Sequence, residues 1–436
     1  MNSMTLDDVR VGYIGLGAMG GRLARRLQKQ TRLHVWDLNA VQVEAIAQEG
    51  AQAAPDAAEL ARCCDVVFLS LPRTQDVEQL VFGPRGLMGG LRPGMLVIDQ
   101  TSGAPEATRS IGERLRANGV AMVDAPVSGT PAAAAAGECT VLYSGAPQDV
   151  DRALPWLKVI SAKLFPCGVR LGDAQAVKLI NNTINTGCRA ATLEMAALGG
   201  KCGLRLKEIA DALNEGEGCN RPSQLMLTAL ADGRVSTNFA LKHVVKDINQ
   251  CLEMATPLDV PMPIAGVVRG VLQVGCNTLG PAAQLEDIVS LTESMCAAPI
   301  RPAKTEQAVL EGAERAGLLK LIDGAVAACN ERVTREALAV GVKAEMDLGR
   351  MLAAIRASSG WSRALDRIDA EELHRGCGSG GSDVLARDAL RRVFALAVEL
   401  EVPLLIVNGV RSSIEAIVVD GVGSRQDLPA LASAAC

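Results

Sequence analysis

A glycine-rich turn close to the start of the chain constrains the fold more than any other stretch. It is formed by Gly15-Leu16-Gly17-Ala18-Met19-Gly20, after an apolar run at 11–15 and before a helical pattern over 18–29. In such a turn the first glycine permits the tight bend, the second lets backbone N–H groups approach a pyrophosphate, and the third lets the helix pack on the strand. The helix N-terminus adds partial positive charge toward the phosphates. These six residues are therefore predicted to bind a dinucleotide.

An acidic residue at the end of the next strand indicates which dinucleotide is bound. Asp37 closes the run LHVWD at 33–37, 22 residues after Gly15. A carboxylate in this place can accept hydrogen bonds from an adenosine ribose and repels a 2′-phosphate. We therefore predict NAD rather than NADP as the cofactor. Taken alone, these residues also leave open an ordinary glycine turn beside a surface aspartate.

The stretch from 10 to 167 alternates between strand and helix patterns, which is typical of a doubly wound, mostly parallel sheet. Further candidate strands lie at 65–71, 95–99, 120–125 and 140–145, and a further helix is predicted over 105–118. Ligands bind outside the carboxyl ends of such strands, so residues at those ends are candidate walls of the cofactor site. They are Leu71, Pro72, Thr101 and Ser102, together with Asp76. Singly, each is equally compatible with an ordinary turn.

The composition limits the other classes of function. Of the 436 residues, 49% are hydrophobic and 21% are charged, which is typical of a globular protein with two or three domains. The net charge of −5 offers no basic surface to nucleic acid. No apolar run reaches the length of about 18 residues that a membrane span needs, and the first residues lack a secretion pattern, so we expect a cytoplasmic protein. The 13 cysteines are scattered without metal-ligand spacing, so no metal site is predicted.

A lysine-bearing helical pattern occurs twice in the second part of the chain. Residues 176–182 read AVKLINN and residues 318–324 read LLKLIDG, so Lys-Leu-Ile recurs after 142 positions. The same shift pairs identical residues, without a gap, as far as Val268-Arg269 and Val410-Arg411. A constant register over nearly a hundred residues predicts an internal duplication.

The predicted fold class is therefore an α/β Rossmann-type dinucleotide-binding domain followed by two related all-α domains. We place the first domain at 1–171, the first helical domain at 172–298 and the second, a degenerate repeat, at 303–436. A linker is expected near 297–302 and a flexible loop at 374–382, where the sequence reads HRGCGSGGS.

Four blocks of sequence resemble the β-hydroxyacid dehydrogenase family, which includes 3-hydroxyisobutyrate dehydrogenase and tartronate semialdehyde reductase. They are GLGAMG at 15–20, DAPVSG at 124–129, GDAQAVKLINN at 172–182 and FALKHVVKD at 239–247, in the order and spacing of that family. The resemblance covers about the first 295 residues. It implies an NAD-dependent oxidoreductase that transfers a hydride between nicotinamide and the alcohol carbon of a small anionic 3-hydroxy acid, or the matching semialdehyde.

The resemblance also implies roles for particular residues. It makes Lys178 the catalytic lysine, and it places Ser102 and Lys246 near the nicotinamide cofactor. The residues that it implies for the substrate are Ser128, Gly129, Thr130, Asn182, Phe239 and Asp247. Family members usually have glycine where this chain has Thr130, so the identity of the substrate is left open.

The chemistry of the reaction favours Lys178 independently of the resemblance. Hydride transfer from an alcohol carbon needs a base to remove the hydroxyl proton, or an acid to supply it in reverse. A lysine that is partly removed from water near a positive nicotinamide ring gives up its proton more readily, which suits it to this role near neutral pH. The alternative is a lysine that extends from a core helix to solvent.

The second lysine, Lys320, has different neighbouring motif residues from Lys178. Under the 142-residue shift, Asn182 becomes Gly324 and Lys246 becomes Asp388, so Lys320 keeps its residue type without its companions. We expect Lys320 to contribute to stability or affinity and not to chemistry. The duplicated domain is expected to take the place of a partner subunit and form a pseudo-dimer within one chain, and a homodimer of whole chains is left open.

Two other functions remain as alternatives. A relative of 6-phosphogluconate dehydrogenase would also carry a duplicated helical region, but its lysine helix usually reads His-Asn and then an acidic Glu, whereas this chain has Asn181, Asn182 and Asn185. An imine-reducing relative would normally lack the lysine. A non-catalytic NAD-binding sensor or scaffold is the alternative from another class, and the set Ser128, Lys178 and Asn182 counts against it.

Overall fold

The computed structural model describes residues 9–301, 312–375 and 382–423. The chain forms two compact units, each of which combines separate stretches. The first unit comprises Met1–Thr183, Asp247–Val260 and Val340–Ser359, and the second comprises Ile184–Lys246, Pro261–Ala339 and Gly360–Cys436. The predicted loop at 374–382 lies mostly outside the described residues. The three predicted domains stay a division by sequence.

Within the described residues, the first unit is built on a nine-stranded sheet. Its strands are β1 (Val11–Ile14), β2 (Leu33–Trp36), β3 (Gln52–Ala53), β4 (Val66–Leu69), β5 (Leu96–Asp99), β6 (Ala121–Asp124), β7 (Val127–Ser128), β8 (Thr140–Ser144) and β9 (Lys163–Gly168). Their spatial order is β3-β2-β1-β4-β5-β6-β8-β7, with β9 beside β8. The strands from β3 to β6 run parallel, and β8 runs antiparallel to β6. The predicted Rossmann-type sheet is thus confirmed, and its order reverses between β1 and β4, beside the glycine-rich turn.

Helices cover both faces of this sheet, because alternate strand residues point to opposite faces. One buried cluster includes Tyr13, Phe68 and Trp156, and the other includes Ile14 and Leu69. The covering helices are α1 (Gly20–Gln28), α2 (Ala40–Gln48), α3 (Ala57–Cys63), α4 (Thr74–Phe82), α5 (Pro105–Arg116), α6 (Pro131–Ala136) and α7 (Pro147–Ile160). The helices predicted over 18–29 and 105–118 correspond to α1 and α5.

The rest of the described chain is helical, as predicted. Its helices are α8 (Asp173–Lys201), α9 (Leu206–Glu215), α10 (Thr228–Ala231), α11 (Leu241–Ala255), α12 (Pro263–Leu279), α13 (Ile288–Cys296), α14 (Gly312–Lys343), α15 (Leu348–Arg356), α16 (Arg363–Asp366), α17 (Ala370–Arg375), α18 (Ser382–Glu399) and α19 (Leu405–Gly423). Nearly every residue of α8 is buried, the polar ones included. None of the helices that the structure describes is long and apolar enough to cross a lipid bilayer.

Helix boundaries recur at the 142-residue interval. The matching ends are Lys201 and Lys343 for α8 and α14, and the matching starts are Leu206 and Leu348 for α9 and α15, and Pro263 and Leu405 for α12 and α19. Backbone angles recur as well, with φ of 53° at Asp259 and 54° at Glu401. Positive φ is uncommon outside glycine, so the chain leaves α11 and α18 through the same kind of turn.

Two buried glutamates cap helices reciprocally in the second unit. Glu194 on α8 accepts hydrogen bonds from the N–H groups of residues 406–407 at the start of α19, at 3.0–3.1 Å. Glu336 on α14 accepts from the N–H groups of residues 264–265 at the start of α12, at 2.8 and 3.2 Å. The first N–H groups of a helix have no acceptor within the helix, so each glutamate satisfies two of them. The two caps are related by the 142-residue shift.

An antiparallel bridge in the second unit has the same relation. Asn220 pairs with Ser362, 142 positions later. Its backbone hydrogen bonds run from the Arg221 N–H to the Trp361 carbonyl at 3.1 Å and from the Arg363 N–H to the Cys219 carbonyl at 2.9 Å. Exchanging each residue for its counterpart turns one bond into the other, so the bridge has local two-fold symmetry.

The glutamate caps generate a stability prediction. Glu194→Ala leaves two buried N–H groups without an acceptor, so we expect a loss of about 3 kcal/mol in the free energy of unfolding. Glu336→Ala should lose a similar amount. Urea unfolding measures both. The matched control is Glu253→Ala on the exposed face of α11, expected to change stability by less than about 0.5 kcal/mol. Equal stability of Glu194→Ala and the control would contradict the capping role.

Candidate active site

The glycine-rich turn is shaped by close backbone contacts at one end and open space in the middle. Gly15 has φ +94°, and a Cβ there would lie 2.2 Å from the Ser70 carbonyl oxygen. A Cβ at Gly20 would lie 1.9 Å from the Gly15 carbonyl oxygen. At Gly17, which is exposed, a Cβ would meet nothing within 4 Å. Packing within the chain therefore does not require Gly17, and the open space there fits the close approach of a phosphate.

Asp37 lies at the carboxyl end of β2 and faces this turn. Its Oδ2 accepts from the Leu16 N–H at 2.6 Å, and its Oδ1 accepts from the Asn39 N–H at 2.7 Å. The next residue, Leu38, is 91% exposed. An acidic group and an exposed apolar side chain thus stand together beside the glycine-rich turn, as a ribose and an adenine ring require.

The other predicted cofactor residues line the ends of β4 and β5. The Leu71 N–H donates to the Thr101 Oγ1 at 3.1 Å, which joins the two strand ends. Pro72 is exposed and Ser102 is half-buried. Asp76 lies in the first turn of α4 and forms an ion pair with Arg73 at 2.7 Å.

A buried carboxylate holds the start of α8 against the sheet. Asp124 and Ser144 are partners across β6 and β8. Asp124 accepts from the Ser144 hydroxyl at 2.5 Å and from the N–H groups of Gly172 and Gln175 at 2.9 and 3.0 Å. The Ser144 hydroxyl in turn accepts from the Ala174 N–H at 2.8 Å. The N-terminus of α8 is therefore capped by the strand ends themselves.

Gln175 links this helix to the loop that follows β5. Its Oε1 accepts from the Thr108 hydroxyl at 2.7 Å. Its Nε2 donates to the Asp99 carboxylate at 3.3 Å and to the Thr101 carbonyl at 3.1 Å. Gln175 is fully buried, so these contacts fix the helix relative to the Thr101-Ser102 segment.

Lys178 lies one turn after Gln175 and is 7% exposed. One turn further on, the Asn182 Nδ2 donates to the Asp247 Oδ2 on α11 at 2.6 Å. Asp247 is 3% exposed. A buried lysine and an oriented amide thus follow each other on α8, as the lysine helix was predicted to place them.

The predicted carboxylate-binding residues follow β6. Ser128 is buried on β7, Gly129 is exposed with φ +146°, and the Thr130 hydroxyl caps α6 by accepting from the Ala133 N–H at 3.2 Å. A Cβ at Gly129 would lie 3.3 Å from the Cys139 Cβ.

The charge of Lys178 reaches this loop. Burial raises the pKa of the Cys139 thiol, and the positive charges of Arg26, Lys163 and Lys178 act against that rise. Cys139 packs beside Gly129, and Lys178 and the Ser128–Thr130 loop both belong to the first unit.

Two predicted residues belong to the second unit. Phe239 is 41% exposed, with its ring centroid 5.8 Å from that of His243. Lys246 is half-buried and directly precedes Asp247 on α11.

At the positions 142 residues later, the second helical stretch has small apolar residues in place of the polar pair Asn182 and Asp247. Gly324 and Ala389 stand where Asn182 and Asp247 would fall, and a Cβ at Gly324 would lie 3.8 Å from the Ala389 Cβ. Lys320 is exposed, in contrast to the buried Lys178. Among the described residues, no group of His, Cys, Asp and Glu side chains is arranged to hold a metal ion.

From the sequence, Asp99 is only a polar strand-end residue in a candidate wall of the cofactor site, and Asp124 and Gln175 have no assigned role. The structure shows that they position the helix of Lys178. A carboxylate directly after an apolar strand was the available pattern for both aspartates. No pattern in the sequence marks Gln175, because its partners come from strand and helix positions 67 to 76 residues away.

Two family models match the chain. The model described as the NAD binding domain of 6-phosphogluconate dehydrogenase matches residues 10–168. The model described as NAD-binding of NADP-dependent 3-hydroxyisobutyrate dehydrogenase matches twice, over 172–292 and 315–434. The two matches of this second model span more than half of the 436 residues.

Individual proteins are similar over different shares of the chain. The 2-(hydroxymethyl)glutarate dehydrogenase of Eubacterium barkeri is 30% identical over 270 residues, which is 61% of this chain and 89% of that protein. The 3-hydroxyisobutyrate dehydrogenase of Pseudomonas aeruginosa is 30% identical over 272 residues, 61% of this chain and 91% of that protein. The 6-phosphogluconate dehydrogenase structure of Plasmodium falciparum has a TM-score of 0.69 over 96% of this chain and 94% of its own, at 15% identity. This last likeness concerns the fold alone.

The buried Asp99 generates a prediction about pH. Burial raises its pKa to about 7, and the neighbouring Asp124 charge adds to the rise. Because the folded pKa lies above the ordinary value of 3.8, the stabilising contribution of this carboxyl is complete below that value and is lost as the pH rises through about 7. Between about pH 5.5 and about pH 8, the free energy of unfolding should therefore fall less for Asp99→Asn than for the parent protein. Urea unfolding without cofactor at each pH measures this change. The control is the exposed Asp151→Asn, and equal pH dependence of all three proteins would contradict the assignment.

Proposed function

Because the chain belongs to the 3-hydroxyisobutyrate dehydrogenase family, we propose that it is an oxidoreductase with Lys178 as its general acid/base. It transfers a hydride between nicotinamide and the alcohol carbon of a small anionic 3-hydroxy acid or the matching semialdehyde. The observation that carries this proposal is the buried Lys178, which stands one turn from the Asn182–Asp247 hydrogen bond on a helix docked beside the Thr101-Ser102 segment.

The site residues divide by task. Ser128, Gly129 and Thr130 bind the carboxylate of the substrate through a hydroxyl and backbone N–H groups. The Asp247 carboxylate orients the Asn182 amide, which holds the hydroxyl or carbonyl oxygen of the substrate. The remaining wall residue for the substrate is Phe239.

Lys178 exchanges the proton of the reacting hydroxyl. When the substrate is oxidised, the neutral amine of Lys178 takes the hydroxyl proton as the carbonyl forms, and in reverse the ammonium returns it. When bound, the nicotinamide supplies the hydride acceptor or donor. Because Lys178 is only 7% exposed, bulk water is kept from competing for this proton.

The cofactor positions are those of the glycine-rich turn and the neighbouring strand ends. They comprise Gly15, Leu16, Gly17, Ala18, Met19, Gly20, Asp37, Leu71, Pro72, Asp76, Thr101, Ser102 and Lys246. Although the matching family model is described as NADP-dependent, we propose NAD for this chain. The reason is that Asp37 places a negative charge beside the glycine-rich turn, and no basic residue follows it in 38–44 to receive a 2′-phosphate.

We also propose that the two helical stretches arose by duplication and form a pseudo-dimer within one chain. This is supported by the double match of one family model, the recurring helix boundaries, and the reciprocal caps of Glu194 and Glu336. The domain boundaries at 1–171, 172–298 and 303–436 belong to this proposal, as does the cytoplasmic location. Whether whole chains pair as a homodimer stays open.

The second candidate activity is that of a 6-phosphogluconate dehydrogenase, favoured by the fold likeness over 96% of the chain. The lysine helix speaks against it, because Asn185 stands where that group usually has its acidic residue. An activity assay distinguishes these enzymes from a sensor or scaffold that binds NAD without turnover. Incubation with NAD and a panel of 3-hydroxy acids, with 6-phosphogluconate included, should produce NADH from a 3-hydroxy acid.

The role of Lys178 generates a kinetic prediction. Lys178→Ala should lose roughly 100-fold or more in turnover, the usual scale for a general acid–base group, and should still bind NAD. Lys320→Ala is the matched control, since this exposed lysine stands at the counterpart position. It should retain parental turnover. A rate loss in Lys320→Ala equal to that of Lys178→Ala, or near-normal turnover in Lys178→Ala, would refute the assignment.

The role of Asp37 generates a prediction about cofactor choice. Asp37→Ser should weaken NAD binding by about 10-fold or more, because a charged hydrogen-bond acceptor for the ribose is lost. It should weaken NADP binding less, since a repulsive charge is removed at the same time. Fluorescence titration with NADH and NADPH measures both. The affinity ratio is its own control, because a general folding defect lowers both affinities alike. An unchanged ratio would count against Asp37.

A further inference from the structure

A short segment of the second helical stretch is fastened beside the candidate substrate site in the first unit. The Ala357 carbonyl accepts from the Thr140 hydroxyl at 3.1 Å. The Ser359 hydroxyl accepts from the Asn181 Nδ2 at 2.9 Å, and the same amide donates to the Asn182 Oδ1 at 3.1 Å.

Both anchors lie next to residues that are proposed to bind the substrate. Thr140 is the cross-strand partner of Ser128 in the β7–β8 pair. Asn181 directly precedes Asn182 on α8. The segment Ala357–Ser359 therefore joins β8, which pairs with the strand that carries Ser128, to α8, which carries Lys178.

Ser358 lies between the two anchors. The residue is 6% exposed, and its Oγ has no hydrogen-bond partner among the described residues. Buried hydroxyl groups in native proteins nearly always have a partner. A ligand oxygen is the partner that this position offers.

The counterpart loop in the first helical stretch sets this segment apart. The N–H groups of Glu217 and Gly218 donate to the Asp323 carboxylate at 3.1 and 2.8 Å, so the contact between loop and helix occurs in both copies. Beside Asp323, however, Gly324 replaces the substrate asparagine, and Gly216 stands at the position of Ser358. The loop with serine hydroxyl groups is thus the one that contacts α8, the helix of Lys178 and Asn182.

We infer that Ala357–Ser359 completes the substrate site and selects the substrate. This inference rests on the proposed function. Ser358 donates a hydrogen bond to an oxygen of the substituent on C2, the carbon between the carboxylate and the alcohol carbon. It therefore favours 3-hydroxy acids in which this substituent is a hydroxyl or contains a second carboxylate. Ser359 is a positioning residue that holds Asn181 and, through it, Asn182.

The test compares two acids that differ in this substituent, namely 3-hydroxyisobutyrate with a methyl group and glycerate with a hydroxyl group. In Ser358→Ala the preference for glycerate, as the ratio of kcat/KM values, should fall about tenfold, the scale of one neutral hydrogen bond. The KM for NAD should stay within about twofold, and unfolding without ligands should show no loss of stability, because the Ser358 hydroxyl has no partner in the part of the chain that the structure describes.

The second variant separates positioning from selection. Ser359→Ala should lower kcat about threefold to tenfold for both acids without changing their ratio, and Ser359→Thr, which keeps an Oγ, should recover it. Asp323→Asn is the matched control, because it alters the counterpart contact in the copy without the Asn182–Asp247 pair. It should lower thermal stability and leave the kcat/KM values near those of the parent.

The outcomes separate this inference from the proposed function. Turnover by the parent protein with an unchanged substrate ratio in Ser358→Ala would overturn the inference alone, as would a loss of stability in that variant. If the parent protein turns over neither acid, calorimetric titration of its NAD complex with both acids decides the inference. Weaker glycerate binding by Ser358→Ala then supports it, whereas equal binding or no binding by the parent overturns it. The proposed function fails only if no other 3-hydroxy acid of the panel is turned over either.

Discussion

The Asp124 carboxylate joins the nucleotide-binding sheet to the helix that carries the candidate lysine, and the rest of the site depends on this junction. Burial raises the pKa of Asp124 to about 6, while the Ser144 hydroxyl and the N–H groups of Gly172 and Gln175 act against that rise. A negative charge at a helix N-terminus is favoured by the helix dipole. The junction therefore fixes the first turn of α8, and Lys178 stands one residue beyond that turn. Gln175 adds the connection to the Thr101-Ser102 segment, so cofactor walls and lysine are held by one buried network.

The two helical stretches share a backbone plan and differ in their side chains. The reciprocal caps of Glu194 and Glu336 keep the plan, because each satisfies N–H groups that have no other acceptor in the helix. The polar pair Asn182–Asp247 exists in the first stretch, whereas small apolar residues stand at Gly324 and Ala389 in the second. Both stretches thus carry the cap, and they differ at the polar pair.

Local patterns predicted the parts of the fold that depend on local physics. The strand at 11–15 and the helix over 18–29 were found because an apolar run, a glycine turn and a helical period follow one another. The short β3 (Gln52–Ala53) and β9 (Lys163–Gly168) were missed, since two residues carry no period and β9 contains a proline. The network around Gln175 was also beyond reach, because its partners are brought together by tertiary folding. The roles of the predicted site residues stay predictions.

The central claim is that a hydride moves between the alcohol carbon of a 3-hydroxy acid and nicotinamide on this chain. It is tested most directly with a 3-hydroxy acid that carries deuterium at its alcohol carbon. The NADH formed by the full-length protein is isolated and its mass is measured. The NADH is expected to carry one deuterium per molecule. Unlabelled NADH, or no NADH from any 3-hydroxy acid of the panel, would contradict the claim.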